Sequence, residues 1–125
     1  MGAQFLIDTN AIIDLSAGRL SVTGRDFLSE LIDTAPHISV ITKIELLGFS
    51  AVNQVISDFA NAAVVYGLTD VVVNRTIDLR KQYRIKLPDA IIAATALVYG
   101  ATLISRNNRD FRVIDGLVCL DLHQL

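Results

Sequence analysis

The sequence predicts an α/β domain, a three-layer α/β/α sandwich around a central parallel sheet. Short apolar runs alternate with helix-patterned segments along the whole chain, the order expected of parallel strands joined by helical crossovers. Hydrophobic residues make up 52% of the 125 positions. That share favours a sheet covered on both faces, or a domain that hides part of its surface in a partner. Repeats, low-complexity tracts and linkers are absent, so residues 1–125 read as one domain, long enough to bury a real core without staples.

The elements follow in order. Gln4-Phe5-Leu6-Ile7 is the first strand, and it ends in Asp8-Thr9-Asn10, each a good helix-capping residue. A short helix over Ala11 to Ala17 should follow, stopped by Gly18. Thr23 to Leu31 reads as a second helix with Phe27, Leu28 and Leu31 on one face, broken by Pro36. His37 to Val40 is the second strand. Thr42 is placed to cap the next helix, with Glu45 as its approximate capping-box partner and Leu46, Leu47 and Phe49 as its apolar side chains. A helix over Val52 to Ala62 and a strand over Ala63 to Tyr66 come next. Thr69 to Arg84 has helical spacing, with Val72, Thr76, Leu79 and Tyr83 in one stripe. Pro88 suits a helix first turn. The helix from Ala90 to Val98 is apolar nearly all round and must lie deep in the core, ending at Gly100. Thr102-Leu103-Ile104 and Leu117 to Leu120 complete the strands, and right-handed crossovers stack the whole into layers.

Composition narrows the class. Cys119 is the single cysteine, so an intrachain disulfide is impossible and a cysteine-based zinc site is not expected. That usage fits a reducing cytoplasm. No basic region followed by a long apolar stretch opens the chain, and no apolar run is long enough to span a bilayer, so neither signal peptide nor membrane is expected. The net charge of −2 lacks the basic excess of a non-specific nucleic-acid binder. Affinity for such a substrate must then come from local cations, bound metal or a partner.

The positions of the acids point to chemistry. Asp8 lies just past the first strand, Glu45 in the first turns after the second, and Asp89 at the mouth of the buried helix. In open parallel sheets the ends where strands finish and helices begin form one edge, and ligands bind there. Each acid also has a structural reading: near a helix N-terminus it offsets the macrodipole by about 0.3–1 kcal/mol. The three together are less easily read that way. Converging carboxylates repel unless a cation neutralises them. Mg²⁺ and Mn²⁺ are hard cations suited to such oxygens, and neither histidine lies near these segments, against zinc. Arg106, Arg109 and Arg112 stand where they can meet phosphates or simply solvate a loop; Asn107 can orient a ligand or make a turn.

Four segments resemble, in order, the motifs of PIN-domain nucleases: Leu6 to Ile13, Ser39 to Gly48, Leu87 to Ala96 and Ala101 to Phe111. Any one is weakly specific, but four in order across nearly the whole chain are strongly so. The sequence looks most like the VapC-type toxins of toxin–antitoxin pairs. The resemblance implies the α/β/α sandwich and a Mg²⁺- or Mn²⁺-dependent endoribonuclease. It also implies a homodimer, and a cognate antitoxin whose tail lies across the active-site groove. Asp8, Glu45 and Asp89 match the three acids of the family's site. The fourth acid falls in the family at the place of Asn107 or at that of Asp110, so here Asp110 is the candidate metal ligand. Ser105 stands where threonine is usual. Thr9, Asn10, Ser105, Arg106 and Asn107 take supporting or substrate-binding places.

Two other functions compete. A haloacid-dehalogenase-like phosphotransferase would use Asp8 as nucleophile, but such enzymes usually carry a second Asp where this chain has Asn10. A catalytically silent PIN-like scaffold would keep the fold and lose an acid; here all three principal acids are present.

Overall fold

The computed structural model describes residues 4–125. Its sheet has five strands: β1 (Phe5–Ile7), β2 (His37–Ser39), β3 (Val64–Tyr66), β4 (Thr102–Ile104) and β5 (Cys119–Leu120). Every pairing is parallel and the spatial order is β3-β2-β1-β4-β5. The helices are α1 (Thr9–Ser16), α2 (Val22–Asp33), α3 (Val40–Leu47), α4 (Gln54–Ala62), α5 (Asp70–Gln82), α6 (Leu87–Tyr99) and α7 (Asn108–Phe111), followed by a 3₁₀ turn at Leu122–Gln124. The expected α/β/α sandwich is what forms.

The strands are only two or three residues long, so packing on the two sheet faces must hold them. Successive side chains point to opposite faces. Leu6 and Leu103 join Val72, Leu79, Ile92 and Phe111 in the core under α5, α6 and α7. Ile7 and Ile104 join Ile12, Leu28, Ile38, Leu46 and Ile56 in the core on the other face, under α1, α2 and α4. Burying each such side chain contributes about 1.5–3 kcal/mol.

Helix α6 is buried at every residue from Ala90 to Ala96, as its uniform apolarity requires. Pro88 lies in its first turn. Gly100 closes it in the left-handed conformation, φ 65°, donating to the carbonyls of Ala96 and Leu97. The stripe expected on α5 is real at Val72, Thr76 and Leu79, all buried.

Several local expectations change; Tyr83, for one, lies just beyond α5 as its extended C-cap. Helix α1 begins at Thr9, with Asp8 itself as N-cap. Ser39, not Thr42, caps α3: β2 ends in an extended Ser39 whose hydroxyl accepts from the Ile41 N–H at 3.1 Å. Thr42 is therefore an interior helix residue, fully buried, and its hydroxyl has no hydrogen-bond partner among the described residues. Glu45 falls in the second turn rather than in a capping box. Helix α7 and the final 3₁₀ turn carry too few residues to show a period, but Phe111 and Leu122 anchor them in the core.

Chain order creates the candidate edge. β1 leads to β2 and β3 on one side, and the chain then returns to place β4 and β5 on the other side of β1. The gap between β1 and β4 is thus the topological switch point, where open parallel sheets bind ligands.

Candidate active site

The register Ile7↔Ile104 puts the next residues of both strands, Asp8 and Ser105, side by side at the switch point. Asp8 is 4% exposed and Ser105 is 1% exposed. The Ser105 hydroxyl donates to Asp8 Oδ2 at 2.7 Å, and the Thr9 N–H donates to Asp8 Oδ1 at 2.8 Å. Asn10 completes the cradle. Its Nδ2 donates to Asp8 Oδ2 at 3.2 Å and to Ser105 Oγ at 3.1 Å, while its Oδ1 accepts from the Arg106 N–H at 3.0 Å. That last bond fixes which way the amide faces. The Asn107 N–H donates to Ser105 Oγ at 3.0 Å, so the serine hydroxyl is saturated and rigid.

Burial pushes the Asp8 carboxyl up to about 6, and the charges of Asp89 and Glu45 add to the rise against the opposing Ser105 and Thr9 bonds. Asp89, half-buried at the head of α6, is also raised, by burial first and then by the charges of Asp110 and Glu45, with Lys86 opposing. Asp8, Glu45, Asp89 and Asp110 therefore share one electrostatic neighbourhood. Glu45 is also tied to the β1 edge directly, because the Thr9 hydroxyl donates to its Oε1. Among the described residues no three acidic, histidine or cysteine side chains converge tightly enough to enclose a metal ion as they stand. The four acids form an open acidic mouth rather than a closed cage.

Of the remaining expected residues, Asn107 contributes its backbone, and its side chain makes no capping bond to α7. Asp110 is exposed in the first turn of α7. Arg106 is not held out toward the mouth: its Nη1 donates to Asp14 Oδ1 at 2.9 Å.

Sequence reasoning misses Asp14. It is fully buried on α1 and faces Arg106, His123 Nε2 at 2.9 Å and Arg19 at 3.5 Å. A signal for it exists: an acid in the apolar run Ala11-Ile12-Ile13-Asp14-Leu15, three residues after buried Ala11, lies on the core side of its helix. A buried carboxylate requires partners. Here they tie α1 to the β4–α7 turn and to the C-terminal segment.

A parallel α/β domain with an acidic mouth at its switch point is the class these features define. The model of the PIN domain family matches residues 5–117, and the chain belongs to that family. A chain of a toxin–antitoxin complex from Klebsiella pneumoniae is 33% identical, with 94% of this chain and 96% of that one covered and a TM-score of 0.70. VapBC-1 from nontypeable Haemophilus influenzae is 27% identical over 94% and 97% of the two chains, with a TM-score of 0.72. DNA-bound VapBC from Salmonella typhimurium shares the fold at 22% identity, 97% and 99% coverage and a TM-score of 0.77. No curated protein matches the sequence. The resemblance to VapC-type PIN toxins is borne out by the family and by these neighbours, which support a place in the toxin nuclease family.

Proposed function

We propose that the chain, residues 1–125, is a single-domain endoribonuclease dependent on Mg²⁺ or Mn²⁺ and the toxin of a type II toxin–antitoxin pair. The observation that carries this reading is Asp8: a nearly buried carboxylate at the sheet's switch point, raised to about 6 and within the field of two further acids. A structural acid gains nothing from such crowding, whereas a divalent cation reverses its cost. The donor set fits a hard cation, being carboxylate and hydroxyl oxygen throughout.

Asp8, Glu45 and Asp89 would hold the ion, with Asp110 as a more exposed fourth donor. The ion would supply Lewis-acid activation of water and neutralise charge building on the phosphate. Ser105 and Asn10 fix both the angle and the charge of Asp8. Thr9 holds Glu45. Asn107 braces Ser105 through its backbone. Arg106 belongs with the supporting residues, since its guanidinium is committed to Asp14.

Partner binding is proposed on two grounds. The relatives above are described as toxin–antitoxin complexes. The surface also shows exposed apolar residues, among them Ile44 and Leu47 on α3 and Val71 and Ile77 on α5, which suit a homodimer or an antitoxin. No helix among the described residues is long and apolar enough to cross a membrane, and an RNA substrate suits a cytoplasmic enzyme.

The open spacing of the acids favours one rival, a PIN-like scaffold that binds no metal. Purified protein incubated with labelled RNA decides between them. Cleavage that EDTA stops and Mn²⁺ restores is expected, along with Mn²⁺ binding by calorimetry. Cleavage that survives EDTA would indicate a metal-free ribonuclease. No cleavage and no binding at millimolar Mn²⁺ would leave the scaffold.

A further inference from the structure

The net charge of −2 conceals a strong segregation. Residues 1–69 carry three Lys or Arg against seven Asp or Glu, and residues 70–125, which begin with the first residue of α5, carry eight against six. The fold converts this sequence asymmetry into a spatial one. The acidic part supplies α1, α2 and α4, which cover one face of the sheet, with Asp26, Glu30 and Asp33 on α2 and Asp58 on α4. The basic part supplies α5, α6 and α7, which cover the other.

Four cations lie in two segments of the basic part: Arg84 and Lys86, in the turn between α5 and α6, and Arg109 and Arg112, on and just after α7. All four are exposed, and none forms an ion pair among the described residues. The two segments are joined: the Asp115 N–H donates to the Tyr83 hydroxyl at 3.1 Å, and Tyr83 and Ile85 pack on the same core as Phe111 and Ile114. Lys86 acts on Asp89 electrostatically, and so does Asp110 of α7, so both segments adjoin the head of α6.

Arg109 and Arg112 end α7, where cations suit a helix dipole, but no dipole accounts for Arg84 or Lys86. Arg80 and Lys81 sit in the last turn of α5, where cations offset the helix dipole. Arg84 lies beyond that helix. Lys86 is worse placed, at the N-cap of α6, where a cation opposes the dipole and where no side-chain cap bond is made.

We propose that the α5–α6–α7 face is the track for the RNA backbone, with Arg84, Lys86 and Arg112 contacting phosphates from the two segments that adjoin Asp89. This rests on the ribonuclease reading above and adds to it the side from which RNA reaches the mouth. The opposite face, rich in acids, repels the same backbone. Local cations thus supply the affinity that net charge does not.

The test is anisotropy of a short fluorescein-labelled single-stranded RNA with the full-length protein in EDTA, across about 50–200 mM salt. Replacing Arg84, Lys86 and Arg112 together by Gln should weaken binding about tenfold or more at low salt and flatten the log–log salt slope by about two. Lys86→Gln alone should flatten it by about 0.7, and Lys86→Arg should restore it. Arg25→Gln, on the acidic face, should change nothing. If wild type cleaves and binds RNA but the triple variant keeps its slope, the track is wrong while the nuclease reading stands. If wild type neither binds nor cleaves RNA, both fall. An unchanged RNA slope with lost binding of a polyglutamate peptide would assign the face to an acidic protein segment and overturn the proposal.

Discussion

Asp8 holds its proton up to about pH 6 in the metal-free protein, against an ordinary value of 3.8. A raised carboxyl pKa means that the folded chain binds the proton more tightly than the unfolded chain does. The stability this confers is complete below about pH 4 and is lost as pH rises through about 6. Asp8→Asn keeps the size and removes the charge. In EDTA at neutral pH the variant should therefore be more stable than wild type by about 1–3 kcal/mol, and the gap should close toward pH 4. Thermal melts at both pH values check this; a destabilised variant at pH 7 would show that the charge is already compensated. The same variant should lose RNA cleavage at least about 100-fold in a gel assay, because a metal-binding charge is gone. Protons compete with metal for Asp8, so Mn²⁺ affinity measured by calorimetry should fall below about pH 6. Ser105→Ala should weaken that affinity about 10–100-fold while the chain still folds. Half-buried Asp89 and exposed Asp110 differ in how firmly each is held. Asp89→Asn should cost more activity than Asp110→Asn, and equal losses would make Asp110 a full member of the site.

Helix α6 links chemistry to folding at the next scale. Its buried length from Ala90 to Ala96 places Asp89 at a fixed height above the sheet. Gly100 adopts φ 65° with open space where a Cβ would stand, so Gly100→Ala meets backbone strain rather than a clash. A loss of about 1 kcal/mol in denaturant melts is expected, with little change in metal affinity. Helix α2 behaves differently at Gly24, where an added Cβ would lie 2.7 Å from the Leu122 carbonyl oxygen. Gly24→Ala must push the C-terminal 3₁₀ turn away, and with it the His123 contact to Asp14. Asp14 joins α1, the β4–α7 turn and that C-terminal segment. Asp14→Ala should therefore destabilise by about 1–3 kcal/mol in urea melts, since the cations left behind are partly exposed and regain water.

For the whole molecule, the sheet order makes one edge do the work. β1 supplies Asp8, β4 supplies Ser105, and the helices on the two faces bring Glu45 and Asp89 toward the same mouth. Helices α2 and α4 carry acids over one face of the sheet, and the segments from α5 to α7 carry more cations than acids over the other. The exposed apolar residues on α3 and α5 predict self-association or a partner. Light scattering at increasing concentration should show a species heavier than 13.6 kDa, and a strictly monomeric protein would shift the burden to the antitoxin alone.

The sequence by itself determined the layers and named the acids of the proposed site. Alternating apolar runs and helical stripes sufficed for the parallel sandwich, because period and burial are local properties. Uniform apolarity was enough to bury α6, and four ordered motifs were enough to single out Asp8, Glu45 and Asp89. Tertiary structure decided what depends on distant neighbours. It made Ser39 rather than Thr42 the cap of α3, since the point where β2 ends is set by pairing with β1 and β3. It turned Arg106 inward to Asp14, a buried acid whose three partners come from places as far apart as Arg19 and His123. It also sorted a near-neutral net charge into two faces, because charges scattered along a chain acquire a direction only when helices are assigned to one side of a sheet or the other.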